Sequence, residues 1–148
     1  MRVTRRELGL VLPALAAGPA RTQEANKLLP SKAWKYEDLP VKTNGQNRSR
    51  DVFKGQTHTG FPVDLHLTEL APGLAPHPPH KHPDEEIIII KEGTLEVMVN
   101  GETRRVGPGS VIFQASNQLH GLRNVGDVPA VYHVIKWNSP GMLKTPIP

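Results

Sequence analysis

The sequence predicts an all-β domain of short antiparallel strands, folded as a sandwich or a closed barrel. Three observations carry this. Apolar and polar residues alternate in short runs, which recur about every eight to twelve residues with turn chemistry between them. Thirteen glycines and fifteen prolines among 148 residues favour turns over long helices. No helical periodicity of useful length follows residue 24. The length suits one domain with one core. With only 5% aromatic residues, that core has to be built mainly from Val, Ile and Leu.

Residues 1–20, MRVTRRELGLVLPALAAGPA, have a basic start, a short apolar middle from Leu8 to Ala17, and small residues after it. That is the layout of a secretory signal peptide. Thr4-Arg5-Arg6 also resembles the twin-arginine export signal, with Leu8 where that motif usually has Phe. The expectation is export to a periplasmic or secreted location, with a mature chain beginning near residues 17 to 21. Residues 21–57 read as a polar, turn-rich N-terminal extension. Within it, Trp34 and Tyr36 share a parity and suggest a short strand pinned to the barrel surface. Asn44-Gly45-Gln46-Asn47 reads as a loop. Residues 58–148 are then the barrel.

From Phe61 the alternation sharpens. Val63, Leu65 and Leu67 alternate with Asp64, His66 and Thr68, as in a half-buried strand. Ala71-Pro72-Gly73 is a turn. Glu86 to Lys91 carries four consecutive isoleucines, and an unbroken apolar run predicts cover on both faces. Ile88 and Ile90 would share one face and Ile87 and Ile89 the other. One set would line the barrel. The other would meet a second layer or a partner subunit, or be buried without any interface. Leu95, Val97 and Val99 alternate with Glu96, Met98 and Asn100. Asn100-Gly101 is a strong hairpin signal, because both central positions of a type I′ turn need positive φ. Pro108-Gly109 makes a further turn, Val111, Phe113 and Ala115 alternate, and Val131 to Trp137 form the last strand. So many strands must hide their edges, by closure or by pairing with a second copy as a homodimer.

Several classes drop out. The absence of cysteine excludes disulfides, thiolate metal sites and cysteine nucleophiles. No apolar run approaches the ~20 residues of a membrane-spanning helix. Half of the formal charge of +4 belongs to residues 1–20, where Arg2, Arg5, Arg6 and Glu7 sum to +2. What is left is too mild for a nucleic-acid surface, and no Lys/Arg cluster is interleaved with aromatics. Arg48 and Arg50 read as part of a solvated loop.

The chemistry concentrates in HPPHKHPDEEIIIIKEG, residues 77–93. His80 and His82 are two apart, which puts both imidazoles on one face of a strand. Glu86 follows His82 at an even spacing and keeps that face in an extended chain. Glu85 competes, but with the opposite parity. His120 comes much later. Three imidazoles and a carboxylate offer N and O donors suited to Mn, Fe, Ni, Co, Zn or Cu, with positions left open on a six-coordinate ion. Donors at the mouth of an apolar strand suit a metal that works in a dry, shaped cavity. His77 reads as a rim residue, His58 as a loop residue near the mouth, and His66 as a strand residue. His133 shares parity with Val131, Ile135 and Trp137 and reads as a core histidine. Asn124 reads as a strand-end hydrogen-bonder. The bland alternative for HPPHKHP is a polyproline-like segment or an incidental chelator.

These residues resemble the first motif of the cupin superfamily: His80-Lys81-His82-(x)3-Glu86-(x)6-Gly93, preceded by Gly73. The second motif reads Gly101 … Pro108-Gly109 … His120-(x)3-Asn124. Gly73 stands one residue early, the Gly101–Pro108 interval is one longer, and ten residues separate Gly109 from His120. The resemblance, over residues 58–137, implies a six- to eight-stranded antiparallel jelly-roll β-barrel that is frequently dimeric. It also implies a divalent transition metal on His80, His82, Glu86 and His120.

The resemblance implies in turn a metal-dependent cupin, with small-molecule oxygenase chemistry on an aromatic or enolic substrate as the first expectation. Glu86 would double as the base that removes a substrate hydroxyl proton. Ile88, Ile90, Val97, Phe113 and Ile135 are the expected apolar pocket walls. A cupin isomerase or lyase, or a non-catalytic module holding a metal or small ligand, are the alternatives. A sensor half of a transcription factor is disfavoured, since no helix-turn-helix pattern precedes the barrel.

Overall fold

The computed structural model describes residues 28–99 and 101–139. The expected export segment, residues 1–20, lies outside them. Helical structure among the described residues amounts to one 3-10 turn, Tyr36–Asp38. Nine strands follow it: β1 (Val41–Asn44), β2 (Asn47–Gln56), β3 (Pro62–Leu70), β4 (Glu85–Glu92), β5 (Leu95–Val99), β6 (Glu102–Val106), β7 (Val111–Gln114), β8 (Gly121–Asn124) and β9 (Ala130–Trp137). All their ladders are antiparallel. They form a six-stranded sheet in the order β1-β2-β3-β9-β4-β7 and a three-stranded sheet in the order β6-β5-β8. This is the expected jelly-roll, with nine strands where six to eight were expected. β1 and β2, within the stretch read as an N-terminal extension, belong to the larger sheet.

The core lies between the sheets. Leu70, Ile88, Ile90, Ile112, Ala130, Tyr132 and Val134 come from the larger sheet, and Leu95 and Val97 from the smaller. Burying each large aliphatic side chain contributes roughly 1.5–3 kcal/mol. Ile88 and Ile90 point inward, as one of the two isoleucine faces had to. The other face is left uncovered among the described residues: Ile89 is 39% exposed, and beside it on β7 Val111 and Phe113 are 65% and 51% exposed.

The turns follow the local chemistry. Val99 pairs with Glu102, leaving a two-residue connection in which Gly101 has φ +78. Asn100 is outside the described residues. Asn44 and Asn47 close the β1–β2 hairpin. Gly93 is demanded twice over. Its φ is +82, and a Cβ there would meet the Ala130 Cα at 2.6 Å. Asn124, fully buried, acts as the expected hydrogen-bonder. Its Nδ2 donates to the carbonyls of Leu70 and Val128 at 2.8 Å each, and its Oδ1 accepts from the Gly126 N–H at 2.9 Å.

Three expectations are corrected here. Trp34 and Tyr36 form no strand: Tyr36 opens the 3-10 turn, Trp34 packs on Phe53 with ring centroids 5.0 Å apart, and the Arg50 guanidinium lies over the Tyr36 ring. Arg50 also donates to the Leu39 carbonyl, so it anchors this segment rather than a solvated loop. His133 is not in the core. The buried set on β9 is Ala130, Tyr132 and Val134, and the parity of His133 faces outward.

Candidate metal centre

The two remote histidine segments are joined by main chain. His80 and His120 form an isolated antiparallel bridge, with the N–H of each donating to the carbonyl of the other at 3.0 and 3.1 Å. The Asn117 N–H donates to the His82 carbonyl at 2.8 Å and ties the same two segments again. Glu86 arrives from the start of β4, inward-facing and buried, and β4 pairs there with β7 and β9. The backbone thus delivers the three expected imidazoles to one place.

Their ligand atoms lie within 4.8 Å of one another. The His82 and His120 rings are 4.7 Å apart, and the His80 and His120 rings 4.8 Å. His82 and His120 each place Nδ1 2.9 Å from a carbonyl, of Asp84 and Gln118 respectively. A carbonyl only accepts, so Nδ1 carries the proton and the Nε2 lone pair is left facing the cluster. His80 Nδ1, His82 Nε2 and His120 Nε2 are buried with no hydrogen-bond partner among the described residues. Three orphaned acceptors on one point need a cation or a water, since a buried polar atom left unpaired costs about 1–3 kcal/mol. The donor set fits a divalent transition metal. Bonds of ~2.1 Å would draw these nitrogens to within ~4.2 Å of each other, a small tightening of what is already in place.

Glu86 stands at the edge of this cluster, its Oε2 3.6 Å from His82 Nε2. Glu85 is paired in register with Trp137 and does not line the cavity. Burial, and after it the charges of His77, His120, His82 and Lys136, push the His80 imidazole down to about 4. It is therefore neutral, and able to ligate, across the physiological range. Burial also holds the Tyr132 phenol above its ordinary value, so it stays protonated. His77 sits on the rim as expected, its ring 4.2 Å from that of His80. His58 is exposed and does not line the cavity.

The cavity in front of the cluster measures about 1160 Å³. Its walls correct the expectation of an apolar pocket. Of Ile88, Ile90, Val97, Phe113 and Ile135, Ile88 alone lines it. Ile90 and Val97 are packed in the core, and Phe113 is on the outside. The wall is mixed: Phe53, Leu122 and Val134 join Ile88 on its apolar part, and Asp64, His66 and Thr68 of β3, Tyr132 and Lys136 of β9 and Gln114 of β7 supply polar groups. Asp64 Oδ1 and His66 Nδ1 are 3.1 Å apart. The alternation in β3 was read correctly as period two, but its polar side faces in. Sequence reasoning passed over these residues. The signal available for them was their shared parity, whose meaning depends on a register that only the fold supplies.

The comparisons with known proteins agree with this fold. Residues 66–136 match the family model described as Cupin domain. The tetracenomycin polyketide synthase protein TcmJ of Streptomyces glaucescens is 40% identical over 63 residues. That match spans 42% of this chain and 42% of the relative, well short of the relative's whole length. KdgF from Halomonas sp. superposes with a TM-score of 0.62 at 18% identity, over 77% of this chain and 100% of that one. The polyketide cyclase RemF from Streptomyces resistomycificus superposes with a TM-score of 0.58 at 19% identity, over 78% and 89%. At such identities these likenesses speak to the fold alone.

Proposed function

We propose, on the premise that residues 66–136 are a cupin domain, that this protein is a metal-dependent enzyme acting on a small enolic or phenolic substrate. The observation that carries the reading is the trio of orphaned imidazole nitrogens beside Glu86, at the wall of a cavity large enough for an organic molecule. His80, His82, His120 and Glu86 would hold the ion. A divalent cation held there supplies Lewis acidity to a substrate oxygen. Glu86 is placed to take a proton from a hydroxyl, or from a carbon next to a carbonyl, of a substrate lying against the imidazoles. Tyr132, kept protonated by burial, can donate a hydrogen bond within the same cavity.

Oxygenation is the reaction the sequence suggests. Isomerisation or ring closure draws on the same residues without consuming O2. The polyketide synthase protein and polyketide cyclase among the similar proteins favour that second route, because polyketides are chains of enolisable carbonyls. The test is to load stripped protein with Mn, Fe, Co or Ni and offer phenols, flavonols and β-dicarbonyl compounds. Oxygen uptake with products that have gained oxygen supports the oxygenase. A rearranged product of unchanged mass supports the isomerase or cyclase. Tight metal binding without turnover of any compound leaves the non-catalytic module standing.

Two further readings travel with this one. The outward face of β4 and β7, with Ile89, Val111 and Phe113, we assign to contact with a second copy. β7 is the edge of its sheet, so a homodimer would cover an unpaired edge and an apolar face together. Export of the chain rests on residues 1–20, and a mass for the natively produced protein that retains Met1 would refute it.

A further inference from the structure

Lys136 projects from the inward-facing side of β9, in register with Asp64 on one neighbouring strand and Glu86 on the other. It lines the cavity that the imidazoles face. The cations lining that cavity are Lys42, Arg48, Lys54 and Lys136, with the histidines set aside. Lys42 is paired with Asp51, Arg48 with Glu69, and Lys54 lies 3.7 Å from Asp64. Among the ion pairs of the described residues, Lys136 has none.

The two carboxylates beside it are already engaged. Asp64 serves His66 at 3.1 Å and Lys54, and Glu86 is turned to His82 at 3.6 Å. A half-buried ammonium without a counter-charge is unfavourable, and a pocket keeps one where the counter-charge comes with the ligand. The charges tell the same story. With a divalent ion in place, Glu86 offsets one of its charges and Lys136 adds one, while the remaining pairs cancel. A neutral phenol would leave that positive field unmatched. A molecule bearing a carboxylate as well as an ionisable hydroxyl would match it.

We propose that Lys136 receives a carboxylate of the substrate, so that the site selects hydroxy acids and enolisable keto acids over neutral enols and phenols. One end of such a molecule rests on the metal reading above, and the other on Lys136 alone.

The experiment uses Co(II)-loaded full-length protein and calorimetric titration with matched acids and amides: 3- and 4-hydroxybenzoate against the hydroxybenzamides, and 3-oxobutanoate against its amide. In the benzoates the carboxylate is too far from the hydroxyl for both to chelate one ion. A charged hydrogen bond of this kind should favour at least one acid over its amide by about tenfold or more. Lys136→Gln should erase that preference and Lys136→Arg should retain most of it. Equal binding of acid and amide across the panel by the unaltered protein overturns the proposal, and needs no variant to fold. So does a preference that survives Lys136→Gln. The visible Co(II) spectrum reports separately on the metal. If neither ligand type alters it, the metal reading fails, while an acid preference lost in Lys136→Gln would still sustain the role of Lys136.

Discussion

Replacing His120 with alanine separates an imidazole kept for an ion from one kept for the fold. His120 is 3% exposed, and its side chain makes one hydrogen bond, from Nδ1 to the Gln118 carbonyl at 2.9 Å. Losing that bond costs about 1 kcal/mol. The hole left by the ring costs roughly 2 kcal/mol more. Against this, the metal-free protein buries Nε2 without a partner, a penalty of about 1–3 kcal/mol that the substitution removes. The main-chain bridge to His80 does not depend on the side chain. The metal-free variant should therefore melt within roughly 8 °C of the metal-free wild type, at about 4 °C per kcal/mol for a domain of this size. The loaded forms should differ more clearly. Free metal at 100 times its Kd stabilises a binding protein by about 2.7 kcal/mol, hence by ~10 °C. Scanning calorimetry with and without metal should show that rise in the wild type and little of it in His120→Ala. A variant that keeps the full rise, or whose metal-free form loses well over 3 kcal/mol, would refute the argument.

The remaining predictions concern pH, backbone and assembly. The folded metal-free protein holds His80 at about 4, below the ordinary 6.5, so the unfolded chain takes up a proton first as the pH drops. The contribution is complete above pH 6.5 and is lost as the pH falls towards 4. Urea midpoints of the metal-free protein should drop across that window, and drop less in His80→Ala. Gly93→Ala forces a Cβ to within 2.6 Å of the Ala130 Cα at a positive φ, and should cost upwards of ~2 kcal/mol of unfolding free energy by denaturant titration. Val111→Glu places a charge on the exposed face of the edge strand. It should shift a dimer to monomer in analytical ultracentrifugation with the circular dichroism unchanged, and a wild type that sediments as a monomer would remove the basis for that face.

Much of this was legible without coordinates, for a physical reason. A metal ligand set leaves a signature in spacing, so His80, His82 and His120 could be named from the sequence and are found together. The all-β class, as a sandwich or closed barrel, followed from alternation and turn residues, and the jelly-roll followed from the family resemblance alone. What alternation does not carry is a sign. Asp64, His66 and Thr68 look like the solvent side of β3, yet they face in, because the barrel encloses a cavity of mixed polarity there rather than a second layer of core. Lys136 was overlooked for the same reason: one lysine near the end of an apolar strand reads as surface until the register sets it between Asp64 and Glu86. Trp34 and Tyr36 misled in the other direction, since shared parity means little where the chain turns rather than extends.

The paired peptide groups of residues 80 and 120 separate the shaping of the centre from its filling. The main-chain hydrogen bonds that bring both loops together belong to the folded chain itself and call on no ion. An occupant can then be swapped for another without unmaking the barrel. Which element the proposed centre would take becomes a question of what the surroundings offer, and how tightly a fixed set of nitrogens would grip it.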